Sequence, residues 1–341
     1  MAALQGRVKA LRRFVLGLAA LAVLCATAAP ARAQDQVKIG LGFGLAFLPL
    51  YICQDLKLIE KRAKELHLDV KASYQRFLGS GPMQDAIASG AIDMGPYGTA
   101  PLLAAWEKAK DTPRQILAVS GITTMPLTLV SNQPNVATIA DFQPADRIAM
   151  PSLTAPQMYV LEMQSEKTLK AYDKLRDQVV VMSPSEAVTA LVDGSGPVTA
   201  YFASPPFTQL ALRDAKVHRV LSSVDVMNGK ASFLIMGATR AYIEAHPQMP
   251  EAIGKAMEDA ARIIRSDPRR AAQIYLTHEP SMSLSAPLIE AVLREIKDEF
   301  GSAVYGVQVF ADFMGRHGEL KTPPKSWKDI VAPALLNSPS T

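Results

Sequence analysis

Apolar positions in this chain switch between two spacings, short continuous runs and longer segments that repeat every three to four residues. Residues 37–42, 68–74, 92–95 and 116–120 read as strands, separated by helical stretches over 49–57, 82–89 and 100–109. A second series follows, with strands over 147–150, 179–182, 198–202 and 217–221 and helices over 156–167, 184–192 and 206–211. Such alternation predicts mostly parallel sheets with helices on both faces. Ser183-Pro184-Ser185-Glu186 is a capping box with proline at the first helical position, a strong helix start. Two apolar extended segments, 127–131 and 233–237, flank the second series and read as crossings between two sheets. Beyond them the pattern is helical over 240–245, 250–266, 268–276, 288–300 and 307–314. The expected architecture is therefore α/β and bilobal: a lobe over 127–232 inserted into a lobe made of 34–126 and 233–341, two mostly parallel sheets joined by a two-strand hinge, and a helical C-terminal tail.

The two series share a local pattern. Ala86-Ile87-Ala88-Ser89-Gly90 followed by Asp93 through Pro101 aligns without a gap on Ala190-Leu191-Val192-Asp193-Gly194 followed by Pro197 through Pro205. Each copy reads as a helix stopped by glycine, a short strand, an aromatic at its carboxyl end and a proline-marked helix start. Ligands of open α/β sheets bind beyond those carboxyl ends, so Tyr97 and Tyr201 are expected to face each other across a shared cleft.

Composition changes the picture at the N-terminus. Arg7, Lys9, Arg12 and Arg13 precede an apolar run over 14–29, and Ala31-Arg32-Ala33 offers a small-x-small cleavage site. Residues 1–33 read as a signal peptide, for the general secretory route in preference to the twin-arginine one, and periplasmic localisation follows. Five of the 36 basic residues lie in that leader, leaving 31 against 32 acidic ones. A near-neutral mature chain argues against a nucleic-acid partner. Cys53 is then the only cysteine, which excludes an intrachain disulfide and a thiolate metal cluster.

The residues Gly42-Phe43, Leu48-Pro49-Leu50-Tyr51, Asp69-Val70, Gly79-Ser80-Gly81, Ala86 through Gly90, Ile92-Asp93-Met94-Gly95 and Gly98-Thr99-Ala100-Pro101 resemble the N-terminal signature of the nitrate/taurine/alkanesulfonate substrate-binding proteins of ABC importers. The likeness continues through Ala140-Asp141-Phe142, Ile148 through Ser152, Ser183 through Gly194 and Tyr201 through Pro206, and spans about 37–276. It implies a type II periplasmic-binding-protein fold that closes on a small molecule and delivers it to a membrane permease, as a monomer and without a cofactor.

Candidate ligand contacts follow from place and chemistry. Gly79-Ser80-Gly81 and Ser152-Leu153-Thr154 precede helices in the two lobes, where free backbone N–H groups and the helix dipole favour an anion; a plain helix cap is the competing role. Tyr97 and Tyr201 each combine a flat apolar face with a hydroxyl, and Phe43, Phe47 and Phe202 fall at the same strand ends. Gly98 and Thr99 lie in the matched motif. Thr123 and Thr124 follow the fourth strand just before a crossing. Tyr51, on an apolar helix face, reads as core. Ala203-Ser204-Pro205-Pro206 lacks the acid that many relatives place before the proline, which argues against a taurine-like zwitterion. No arginine falls in an expected strand-end loop, so an anion would be held by neutral donors.

An enzyme is disfavoured. His67, His218, His246, His278 and His317 show no metal-ligand spacing, and there is no Gly-x-Ser-x-Gly elbow and no phosphate loop. The expected function is capture of a small organic anion, sulfonate- or nitrate-like, for an ABC permease. The alternatives are a planar ligand, such as a pyrimidine precursor or an aromatic acid, and a periplasmic sensing subunit.

Overall fold

A computed structural model describes residues 35–77, 80–194, 196–280 and 283–336, with the Ser80 side chain excepted. The expected signal peptide and Gly79 lie outside the described residues. The chain divides into a leading unit, Met1–Asp35, and a compact unit, Gln36–Thr341, which carries everything below.

Among the described residues, ten strands form two five-stranded sheets. The first has the order β2 (Val70–Arg76), β1 (Asp35–Leu41), β3 (Met94–Tyr97), β10 (Leu234–Thr239), β4 (Ile116–Thr123). The second has the order β7 (Val179–Val181), β6 (Arg147–Met150), β8 (Val198–Ala203), β5 (Thr128–Ser131), β9 (His218–Ser222). The two orders are the same topology: β1 corresponds to β6, β3 to β8 and β10 to β5. In each sheet a parallel pair, β1–β3 or β6–β8, is followed by one antiparallel strand, β10 or β5. Those antiparallel strands are the two segments read as crossings from sequence.

Helices fill the connections. In the first lobe these are α1 (Leu48–Leu56), α2 (Leu58–Glu65), α3 (Ser80–Ala88) and α4 (Thr99–Lys108). The second lobe has α5 (Pro156–Leu169), α6 (Pro184–Asp193), α7 (Phe207–Ala211) and α8 (Ser223–Met227). The tail adds α9 (Arg240–Ala245), α10 (Met249–Ser266), α11 (Pro268–His278), α12 (Ala286–Glu295) and α13 (Val307–Arg316). At α6 the Ser183 side chain accepts from the Glu186 N–H and the Glu186 carboxylate accepts from the Ser183 N–H, as the capping box requires.

Period-two burial builds the second lobe. Leu129, Ile148 and Phe202 pack on one face of its sheet, and Val130, Ala149 and Tyr201 on the other. The first lobe has one larger core, to which α10 adds Ile253, Ala256, Met257, Ala260 and Ile264 at helical spacing. The lobes also touch through side chains. Glu166 of α5 binds Arg316 and His317 of the tail, each at 2.9 Å, and the Tyr159 hydroxyl donates to Glu319 at 2.8 Å. Burial alone would raise the Glu166 carboxyl, but the Arg316 and His317 contacts outweigh it and hold it below the usual range.

Candidate functional site

A groove of about 820 Å³ opens where α3, α4 and the start of α5 meet. Gly81 and Asp85 of α3 form one wall, Pro101, Ala104 and Lys108 of α4 the other, Tyr97 and Ile116 line it from the sheet, and Thr154 and Tyr159 close it from the second lobe. Among the residues expected to bind, this pocket gathers Gly81, Tyr97 and Thr154. The pocket lies at the junction of the lobes, because α4 and α5 start side by side: a Cβ built on Gly98 would sit 3.3 Å from the Pro156 ring.

Tyr97 owes its place to a glycine. Its ring lies across Gly237 of β10, where an added Cβ would be 2.8 Å from the ring, so a side chain at 237 would displace the tyrosine. Tyr97 is 1% exposed, and its hydroxyl has no hydrogen-bond partner among the described residues. Burial pushes that hydroxyl's pKa up, and the Asp85 carboxylate adds to the shift.

Tyr201 does not mirror it. Both are 1% exposed and packed in the core of their lobe, but Tyr97 also reaches the groove and Tyr201 lines no part of it. Register explains the difference. Ile39 pairs with Met94, which puts Tyr97 level with Gly42, just past the end of β1. Tyr201 pairs with Ala149, one residue short of the end of β6, and β8 runs on to Ala203. The expectation that the two tyrosines face each other is corrected accordingly. Phe202, fully buried on the opposite face of β8, is likewise a core residue.

Three threonines are committed elsewhere. Thr99 donates from inside the core to the Ser232 carbonyl oxygen at 2.5 Å, tying the start of α4 to the return crossing. Thr123 donates to the Glu299 carbonyl oxygen at 2.8 Å and Thr124 to the Glu299 carboxylate at 2.5 Å, so both fix the tail against β4. Ser152 and Thr154 do not cap α5, whose cap residue Ala155 has no side-chain bond. Their hydroxyls instead lie 3.0 Å from each other, and the Thr154 N–H donates to Ser152 at 3.1 Å. Phe43 and Leu153, from the equivalent ends of β1 and β6, are exposed by 48% and 42%. Phe47 is half-buried against the first-lobe core.

One polar cluster escaped the sequence reading. Strand β2 runs two residues beyond its expected end and finishes on Arg76, so an arginine does stand at a strand's carboxyl end. Its guanidinium lies 4.9 Å from the centroid of Phe43 and 5.0 Å from that of Tyr51, and donates to the His278 carbonyl oxygen at 3.4 Å. Tyr51 is fully buried, as expected, and its hydroxyl donates to Glu279 at 2.5 Å; the Gly44 N–H donates to the same carboxylate oxygen at 2.5 Å. Gly44 has φ 108°, a left-handed conformation that glycine alone adopts without strain. Together these contacts hold the loop that displays Phe43. The signal in the sequence was the alternation of Val70, Ala72 and Tyr74, which leaves β2 free to continue.

No protein-family model and no curated protein sequence matches the chain. Solved structures do. The periplasmic aliphatic sulphonate binding protein SsuA from Escherichia coli superposes with a TM-score of 0.66 at 18% identity, covering 87% of this chain and 97% of that one. The alkanesulfonate-binding protein SsuA from Xanthomonas axonopodis pv. citri, bound to MOPS, gives 0.65 at 18% identity over 88% and 97%. A Candida albicans gene product described as exhibiting the generic periplasmic binding protein structural fold gives 0.58 at 13% identity over 90% and 96%. Two sheets of one topology, linked by two adjacent crossings and superposing along nearly their whole length on these structures, make this a bilobal periplasmic-binding-protein fold.

Proposed function

We propose that this chain is the exported substrate-binding subunit of an ABC importer, capturing a small organic anion between its lobes and presenting it to a membrane permease. The observation that carries the proposal is the groove at the lobe junction, lined from both lobes and of the size of ordinary small-molecule sites, about 300–1,000 Å³. Two of the structural neighbours are described as sulfonate-binding proteins, which supports an organic anion. A nitrate-sized ion would leave most of the groove empty.

In this reading Gly81 from the first lobe and Thr154 from the second supply polar contacts, and Phe43 and Leu153, exposed past the two strand ends, stand outside the groove lining. Lobe closure would add one set to the other and report occupancy to the permease. The test is a thermal-shift screen of the mature protein against alkanesulfonates, nitrate, aromatic acids and pyrimidine precursors. A cognate ligand at a hundred times its Kd should stabilise the protein by about 2.7 kcal/mol. No shift with any of the four classes would contradict the proposal.

A further inference from the structure

The two crossings between the lobes are backed by a third stretch of chain. The outgoing crossing, 124–127, joins β4 to β5, and the return crossing, 228–233, joins α8 to β10. They touch directly, the Phe233 N–H donating to the Thr123 carbonyl oxygen at 2.8 Å. Residues 298–306, between α12 and α13, run along both. On the outgoing side Phe300 pairs with Thr123, the Gly121 N–H donates to the Ser302 carbonyl oxygen at 2.6 Å and the Thr124 N–H to that of Glu299 at 2.7 Å. Only a glycine allows this approach, since a Cβ at 121 would run into the Ala303 carbonyl oxygen. On the return side Ser232 and Tyr305 exchange two hydrogen bonds of 3.0 Å, Ser232 N–H to the Tyr305 carbonyl oxygen and Tyr305 N–H to the Ser232 hydroxyl.

One side chain joins all three. The Glu299 carboxylate accepts from the Thr124 hydroxyl at 2.5 Å and pairs with the Lys230 ammonium at 3.1 Å, which also donates to the Asp298 carbonyl oxygen at 2.7 Å. Thr124 and Lys230 are thereby held to the tail. The next residues along each crossing are held to the second lobe instead: Leu127 accepts from the Ser223 N–H at 2.8 Å, and the Gly229 N–H donates to the Val224 carbonyl oxygen at 2.9 Å. Between the two sets of ties lie Met125 and Pro126 on one side and Gly229 on the other. Gly229 has φ 146° and open space where a Cβ would stand.

We infer that Glu299 is a positioning residue for lobe closure: it clasps both crossings to the tail and confines the turning of the second lobe to Met125–Pro126 and Gly229. Closure of two lobes turns on a few residues that absorb the change in φ and ψ, so fixing the residues beside them fixes the path of the motion. Contacts such as Glu166 with Arg316 lie outside the crossings and can part or form as the lobes turn, whereas the clasp stays on the axis. The inference goes beyond the capture role, and its test uses no ligand, so either can fail without the other.

Spin labels on Lys61→Cys in α2 and Lys216→Cys in the second lobe, both exposed positions, report the interlobe distance in the ligand-free mature protein, with the fully buried Cys53 left in place. Glu299→Gln and Lys230→Met should each broaden the distance distribution about twofold. The double variant should be no broader than either single one, because both remove the same clasp. The Lys230 side chain is 42% exposed, so Lys230→Met should fold as the native protein does whatever Glu299→Gln costs. An unchanged width in either single variant, even with a lowered melting temperature, would make Glu299 a structural anchor alone and overturn the inference. Broadening that adds up in the double variant would overturn it as well.

Discussion

The two lobes share one strand order and one sequence pattern, yet only the first presents its tyrosine to the groove. Tyr97 stands just past the end of its neighbouring strand and lies across Gly237; Tyr201 stands one residue short of the end of its neighbour and is packed among Val130, Ala149 and Leu191. A shift of a few residues in register thus lets one copy's tyrosine reach the groove from the core while the other stays wholly within the core. The repeat fixes topology, and the depth of each residue relative to the sheet edge fixes its use.

The largest expected effect breaks the core copy. Tyr201→Ala removes a fully buried aromatic and should cost about 3–5 kcal/mol in chemical denaturation, with ligand affinity unchanged in the folded fraction. Next comes the glycine that makes the copies differ. Gly237→Ala forces the Tyr97 ring to move and should cost about 1–3 kcal/mol, and here affinity should fall along with stability. Intact affinity in that variant would separate Tyr97 from the ligand.

A smaller effect concerns α5, the helix that brings Tyr159 to the groove. Glu162 on this helix is almost fully buried with Arg176 at 2.8 Å, and burial pushes its carboxyl up to about 7, beyond what Arg176 restores. A carboxyl that binds its proton more tightly when folded contributes stability that is complete below its unfolded pKa, about 4.3, and is lost as the pH rises through 7. Glu162→Gln should therefore flatten the decline in melting temperature between pH 5 and pH 8, both values being approximate bounds of that window. An unchanged slope would show that Arg176 keeps the carboxylate charged throughout.

Much of the fold was legible because its signals are local. Apolar runs bounded by glycine and proline marked nearly every strand, and β6 (Arg147–Met150) and α9 (Arg240–Ala245) fall where the pattern puts them. The site was harder to read. Thr99, Thr123 and Thr124 sit at the expected strand ends, but their hydroxyls are satisfied by Ser232 and Glu299, partners more than a hundred residues away. Arg76 escaped notice because the end of an alternating strand is set by its pairing, which composition does not show.

The contrast between the two tyrosines is tested most directly by a paired titration. The tightest binder from the screen is measured by calorimetry against Tyr97→Phe and Tyr201→Phe, each losing one hydroxyl and no ring. Tyr97→Phe should weaken binding by about 0.5–1.5 kcal/mol, roughly two- to tenfold, with stability little changed, and Tyr201→Phe should bind as the native protein does. Equal losses in both variants, or a loss confined to Tyr201→Phe, would contradict a site built on the first lobe's copy alone.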